Sequence, residues 1–357
     1  MEGHPLARRP KKIRIGVIGA GGISHAHVKG YQSNEGVEIV AVADVFVDKA
    51  QEWANRYGVE HVFDDHRKLL RMDEVDAVSV CTFNKAHAQP TVDALNAGKH
   101  VFCEKPMSDN LRDATRMLKA AQSTDNILCI GVHSRYDPPQ RQAKRVVAEG
   151  GLGEIYYAET CHTRRHGNPG HTFQRKASGG LGATADIGVY NLDTAFDILG
   201  FPKPLTVSAV MQDVICKQGP PMNAIWQYNP QEFEVEEFGV AWIRLEGGGV
   251  LVFKVSWAVH ANSLGRTYFL GKKAGLALDP LEIFRTEFGM MTNTQPTGMP
   301  NVDRWGLQMG AFLDAVRKGK PSPVPAEEVI LTNAVFDAMQ RSVAKGGQEV
   351  RVKLPEL

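Results

Sequence analysis

The chain has 357 residues, 43% of them hydrophobic and 23% charged, which is enough for two ordinary domains with cores of their own. Its 41 basic and 40 acidic side chains leave a net charge of +1, so no overall field draws it to nucleic acid. No apolar run approaches the roughly 20 residues of a membrane helix, and five cysteines without CxxC spacing read as buried thiols of a cytoplasmic protein, not as a disulfide or zinc framework.

Residues 1–11 are basic and include Arg8 and Arg9, but Pro10-Lys11-Lys12 follows where an export signal needs an apolar stretch. They read as a loose tail. Short apolar runs over 13–18, 38–43, 75–81, 100–103 and 127–132 read as strands, with helical patterns over 48–57, 87–97 and 110–122 between them. Strands alternating with helices of this length predict βαβ units and a parallel sheet. The expected fold class is therefore α/β, with a Rossmann dinucleotide-binding domain over 12–135.

The first strand runs straight into Gly19-Ala20-Gly21-Gly22-Ile23-Ser24. Gly19 permits a tight turn, Gly21 lets the backbone approach a pyrophosphate, and the helix that opens at Gly22 and Ile23 points its amides at that anion. Ser24 stands in place of the third glycine of the fingerprint. Asp44 ends the second strand roughly 20 residues on, where an acid holds the ribose diol of the adenosine. Val45, Phe46 and Val47 follow it, so no arginine awaits a 2′-phosphate, and NAD is favoured over NADP. The plainer reading of Asp44 is a turn or helix-capping residue.

The strand over 75–81 runs out into Thr82-Phe83-Asn84-Lys85-Ala86-His87 and that over 100–103 into Glu104-Lys105-Pro106. Ligands of an open α/β sheet bind outside the carboxyl ends of its strands, so Thr82, Phe83, Asn84, His87, Glu104 and Lys105 are expected to line the same crevice as the glycine loop. For His87 the alternative is a helix-start residue without a ligand. His25 and His27 read as packing or surface residues, since HxH lacks a third metal ligand.

After Tyr136-Asp137-Pro138-Pro139 the pattern changes. A helix over 140–149 precedes long strand-like runs over 154–164, 205–212, 233–245 and 250–258, the last two joined by Gly247-Gly248-Gly249 as a hairpin. This predicts a second, α+β domain over 136–357 with a large, mainly antiparallel open sheet. Leu251, Phe253, Val255 and Trp257 alternate onto one face of that hairpin, and the other face is also partly apolar, so a partner subunit is expected to cover it. Helices over 305–317 and 325–345 complete the chain and are free to pack back on the first domain. Between the sheet runs, 183–199 reads as one helix on which Asp186 and Tyr190 share a face at i and i+4, with Asp193 three residues on. That stripe fits a proton relay, or simply a solvated helix face.

Taken together, the glycine loop, Asp44, Cys81-Thr82-Phe83-Asn84 with His87, the run from Ala97 to Pro106, Arg135-Tyr136-Asp137-Pro138 and the segment from Gly179 to Asp193 resemble the Gfo/Idh/MocA family of oxidoreductases. The resemblance covers nearly the whole chain. It implies oxidation of a sugar or cyclitol hydroxyl with a tightly held nicotinamide cofactor, and a homodimer or homotetramer built through the C-terminal sheet. By resemblance, Glu104 and Lys105 lie beside the nicotinamide ribose and the substrate, and Asp186 binds substrate. Arg164 and His166 belong to a loop bordering the sugar site, and Arg135 joins the substrate set. Tyr190 stands where many members have histidine, and Phe83 replaces a frequent proline. His162, His166 and His171 read as hydrogen-bonding loop residues; no metal is expected.

Hydride transfer requires the substrate hydroxyl to lose a proton as its carbon becomes a carbonyl. Tyr190 is the expected general acid/base, its phenol lowered by the Lys105 ammonium, with Lys105 holding the reacting oxygen and Asp186 fixing the substrate. Lys105 as the proton acceptor, with Tyr190 as its partner, is equally consistent. Two other functional readings share these residues: a transient-redox sugar epimerase or NAD-dependent glycosidase, and a non-catalytic regulator that binds sugar and NAD.

Overall fold

A computed structural model of the protein describes residues 12–355; the tail read over 1–11 lies outside them. Six parallel strands form the first sheet: β1 (Ile13–Ile18), β2 (Val37–Ala43), β3 (His61–Phe63), β4 (Ala77–Val80), β5 (His100–Glu104) and β6 (Leu128–Gly131), in the order β3-β2-β1-β4-β5-β6. β1 and β4 are buried nearly throughout, as expected where helices cover both faces of a parallel sheet. The strand order reverses between β1 and β4, which opens the crevice where doubly wound sheets bind nucleotides. The glycine loop after β1, the polar segment after β4 and the Glu104-Lys105 end of β5 all meet there.

Among the described residues the second sheet has nine strands. β7 (Ile155–Thr163), β8 (Pro204–Gln212), β9 (Phe238–Leu245) and β10 (Val250–Ser256) are the long ones; β11 (Tyr268–Gly271), β12 (Gly275–Ala277), β13 (Glu282–Glu287), β14 (Met290–Thr294) and β15 (Val350–Arg351) are short. Their order is β14-β13-β12-β11-β7-β10-β9-β8-β15, antiparallel except where β7 and β10 run parallel. The β9–β10 hairpin turns through Gly247 and Gly248, both at positive φ, which glycine adopts without strain. Leu251, Phe253, Val255 and Trp257 are fully buried on the inner face, with the Phe253 ring 6.3 Å from Phe336 of the helix Ala326–Val343. Each such side chain contributes about 1.5–3 kcal/mol by leaving water.

Two hydrophobic cores result, one under each sheet, and the C-terminal helices join them. Met309, Phe312 and Leu313 of the helix Arg304–Lys318 belong to the first core, with Val329 and Ile330 at the start of the last helix. Further along that helix, Val335, Phe336 and Met339 belong to the second. Tyr190 packs against both. Among the described residues, no helix is long and apolar enough to cross a membrane.

Two local expectations change. The segment read as one helix over 183–199 is two, Ala183–Asp186 and Gly188–Leu199, with the break at Ile187. The short strands β3, β11–β14 and β15, which carry no long apolar alternation, are not legible in the sequence.

Candidate active site

The phosphate end of the crevice follows from its glycines. Gly19 sits at φ +98°, and a Cβ there would lie 2.7 Å from the backbone carbonyl of Cys81, so only glycine lets the β1 and β4 loops approach. A Cβ on Gly21 or Gly22 would meet nothing within 4 Å, leaving open space in front of the N-terminus of the helix Gly22–Gln32. Ser24 does more than stay small: its hydroxyl donates to Gly21 O (2.6 Å) and accepts from Trp53 Nε1 (2.8 Å), bracing the loop. Asp44 accepts from Ala20 N (2.8 Å) and Phe46 N (2.9 Å), one bond on each carboxylate oxygen, so lone pairs remain for a diol. The buried Thr82 hydroxyl has no hydrogen-bond partner among the described residues. Open space over the helix amides, an anchored acid and a free hydroxyl fit a dinucleotide.

The next three positions are tied down more firmly than the sequence implied. Asn84 donates to Gly179 O (3.1 Å), linking this loop to the second half of the chain, and Phe83 is exposed beside it. His87 is buried with Nδ1 2.7 Å from Pro106 O and Nε2 3.1 Å from Thr82 O, and burial lowers its pKa. Its ring is a brace between the β4 loop and the Lys105-Pro106 turn.

At the end of β5, Glu104 turns inward and Lys105 outward. The Glu104 carboxylate is buried, with Oε1 2.9 Å from His27 Nε2 and Oε2 accepting from Lys105 N (3.1 Å). Burial alone would raise this acid, but the His27 hydrogen bond and nearby positive charge outweigh it and hold it below the usual carboxylate range. Gly131 makes the room: a Cβ there would lie 2.7 Å from Glu104 Oε1. His27 is thus no surface residue, and Ser79 and Cys81 also lie within reach of its Nδ1.

Lys105 Nζ reaches across to the second half of the chain. It donates to Asp186 O (2.9 Å) and Oδ1 (3.3 Å), and sits 4.9 Å above the centre of the Tyr190 ring. The helix break at Ile187 allows this, because Asp186 ends the first short helix and frees its carbonyl for the lysine. Asp186 Oδ2 accepts from the buried indole of Trp257 (3.0 Å), and Arg164 Nη1 lies 3.8 Å away. Sequence reasoning placed Trp257 in the core without seeing this bond.

Tyr190 does not meet the electrostatic expectation. The lysine lies over its ring face, and burial, then the Glu104 and Asp186 carboxylates, push the phenol well above its ordinary pKa. Its neighbour is His133, ring centres 4.7 Å apart, and beyond that stands Trp305, 4.8 Å from His133. Burial brings His133 to about 4, with Glu104 opposing and Arg304 and Lys105 adding to the shift, so it is neutral at physiological pH. No sequence motif announced His133 or Trp305, because the fold, not spacing, brings them to Tyr190.

Arg135 requires a correction. Its side chain is buried and forms a bidentate pair with Asp193 (2.8 and 2.7 Å), while Nη1 pairs with Glu328. Its guanidinium joins the helix Gly188–Leu199 to the last helix and is taken up by these carboxylates, where the resemblance implies a substrate contact. Asp193 likewise does not extend a solvated stripe; it is the buried partner of this arginine. His166 bonds the Tyr228 hydroxyl (3.0 Å) and stacks on its ring, which anchors the 164–171 loop. Among the described residues no group of three or more His, Cys, Asp or Glu side chains is placed to hold a metal.

Comparison with known proteins agrees with this geometry. Residues 13–132 match the oxidoreductase family with an NAD-binding Rossmann fold, and residues 140–277 match the GFO/IDH/MocA C-terminal domain. The chain is 32% identical to D-glucoside 3-dehydrogenase of Escherichia coli over 94% of its own length and 96% of that protein's. It is 33% identical to myo-inositol 2-dehydrogenase of Thermotoga maritima over 53% of this chain and 55% of the other. In fold it is similar to levoglucosan dehydrogenase in complex with NADH and levoglucosan (TM-score 0.82, 20% identity, 96% of this chain and 100% of that one). A glycine loop built for a dinucleotide, a lysine bridging to the Asp186 helix and matches across both halves lead to one conclusion: the chain belongs to the GFO/IDH/MocA family of NAD-binding oxidoreductases.

Proposed function

We propose that the protein oxidises a ring hydroxyl of a sugar, glycoside or cyclitol, with glycosides the first class to test. The observation that carries this reading is the Lys105 bridge: a cation at the cofactor crevice that is also bonded to Asp186 on the substrate side. The names of the relatives, a glucoside dehydrogenase and an inositol dehydrogenase, support the substrate class.

NAD supplies the hydride acceptor when bound. Gly19, Gly21, Gly22 and Ile23 would hold its pyrophosphate, Asp44 its ribose, and Thr82 and Phe83 would line the path to the nicotinamide, with Asn84 bracing the β4 loop on Gly179 and Glu104 bracing the Lys105 backbone from inside. Lys105 Nζ is placed to take up the hydroxyl proton, and Asp186 at 3.3 Å stabilises the ammonium that carries it. Asp186 and Arg164 bind neighbouring hydroxyls. Tyr190, with its phenol pushed up, acts as a neutral wall and hydrogen-bonding group. His87 and His166 hold the two loops in place.

Incubating the protein with panels of glycosides, free sugars and inositols, at matched NAD and NADP, tests the reading. Accumulation of NADH with a glycoside is the expected result. Consumption of substrate without NADH favours the transient-redox alternative, and no chemistry at all favours a binding protein. Asp44→Ala should weaken NAD binding about 10- to 100-fold and leave NADP binding much less affected, since the acid's bonds are to the ribose diol that NADP lacks. Equal loss for both cofactors in calorimetric titration would assign Asp44 to loop structure alone.

The division into a nucleotide domain over 12–135 and a substrate domain over 136–357, with the last two helices bridging them, belongs to the same proposal. So does a cytoplasmic location, which the five unpaired cysteines fit. A second copy of the chain is the proposed cover for the outer face of the large sheet. Trp242 and Val210 there are 45% and 49% exposed, and Val240 and Val252 lie beside them in register. Trp242→Glu should halve the mass seen by light scattering, because a carboxylate in a desolvated contact costs at least about 2 kcal/mol. An unchanged mass would move the interface elsewhere.

A further inference from the structure

Beyond Asp186 and Arg164, the substrate side continues outward in two side chains, Ile225 and Trp226, that the chemistry above leaves unused. Arg164 lies next to Asp186 and its guanidinium sits 5.1 Å from the centre of the Trp226 ring. Trp226 belongs to the long segment between β8 and β9. It is 43% exposed, and its neighbour Ile225 is 57% exposed. Two adjacent large apolar side chains left open beside a charged pair offer a contact surface for a ligand.

The segment that carries them is not a loose flap. Ile225 N donates to His166 O (3.1 Å), and Tyr228 takes the His166 hydrogen bond on its hydroxyl while donating to Cys216 O (3.0 Å). Gly167 allows the contact: a Cβ there would meet Ile225 Cδ1 at 2.7 Å and Arg164 Cδ at 2.8 Å. Gly170, at φ +68°, similarly lies where a Cβ would meet Tyr228 Cβ at 3.0 Å. Trp226 is therefore held between two pinned residues, one guanidinium away from the carboxylate that faces Lys105.

We propose that Trp226, with Ile225 and Arg164, forms a second subsite that takes the group attached to the anomeric oxygen of a glycoside; this rests on the sugar reading above. An indole face stacks on the C–H face of a second sugar ring or on an aryl aglycone. The Arg164 guanidinium, shared between the indole and Asp186, supplies hydrogen-bond donors at the junction between the two subsites. The reacting ring would lie at Lys105 and Asp186, and its substituent at Trp226.

The experiment compares NADH formation by the wild type, Trp226→Phe and Trp226→Ala on D-glucose and phenyl D-glucoside. Stacking of this kind corresponds to about a 3- to 10-fold change in affinity. Trp226→Ala should raise the KM for phenyl glucoside relative to that for glucose by that factor, with kcat falling less than KM rises. Trp226→Phe should restore most of the preference. An unchanged ratio of the two KM values in the alanine variant overturns the subsite while leaving the sugar reading intact. A wild type that reduces no NAD with either sugar overturns both.

Discussion

Lys105→Met is expected to bind NAD as the wild type does and to turn over about a thousand-fold more slowly. Methionine fills the space of the lysine stem but carries no lone pair for a proton and no charge for the developing alkoxide. General base catalysis and electrostatic stabilisation are each worth roughly 10²–10³-fold in such sites. The nucleotide contacts assigned to Gly21, Asp44 and Thr82 are untouched, so NADH fluorescence titration should report ordinary affinity. Tyr190→Phe is the paired control. Its phenol is raised by burial and by the Glu104 and Asp186 carboxylates, and the Lys105 ammonium lies over the ring, 4.9 Å from its centre. A neutral phenol is a poor proton acceptor, so its removal should slow turnover only about ten-fold. Should the phenylalanine variant fall as far as the methionine one, Tyr190 carries the proton and Lys105 assists it.

That contrast shows which parts of the site are legible in a sequence. The glycine loop, Asp44 and the Glu104-Lys105 strand end are readable because each depends on a local rule: a turn that needs glycine, a strand end that faces the crevice. The alternation of strand and helix gives five of the six strands of the first sheet for the same reason, all but the three-residue edge strand β3. The geometry around Tyr190 is set by partners far along the chain. Its assignment from i, i+4 spacing assumed an unbroken helix, and the break at Ile187 turns Asp186 toward Lys105 by its carbonyl as well as its carboxylate. His133 comes from the end of the first sheet and Trp305 from a C-terminal helix, and no local pattern links them. His27 looked like packing because its partner, Glu104, is 77 residues away. The short strands β11–β14 escaped notice because they have too few residues for a period of two to stand out from turn sequence. Arg135 is the plainest case: a sequence shows the charge, but not that Asp193, 58 residues on, and Glu328, 193 residues on, neutralise it.

The Arg135 assignment carries the largest expected effect on stability. Its side chain is only 6% exposed, that of Asp193 1%, and together with Glu328 they join the loop after β6, the helix Gly188–Leu199 and the last helix. Burial works against the guanidinium charge, but Asp193 and the other nearby carboxylates more than restore it, so Arg135 stays protonated. Removing one partner strands the other charge in a low-dielectric interior. Arg135→Ala or Asp193→Ala should therefore lower the unfolding free energy by about 3–5 kcal/mol, read as a shift of the urea midpoint. Replacing both with apolar residues of similar volume, Arg135→Met with Asp193→Leu, should recover most of that loss, since the two buried charges leave together and the Glu328 carboxylate, 34% exposed, is left to water. A substrate-binding arginine behaves differently. It would raise KM when changed, spare the midpoint, and gain nothing from the second substitution. Recovery of stability in the double variant is thus the result that separates a bolt between helices from a ligand for the sugar, and a double variant as unstable as either single one would return Arg135 to the substrate set.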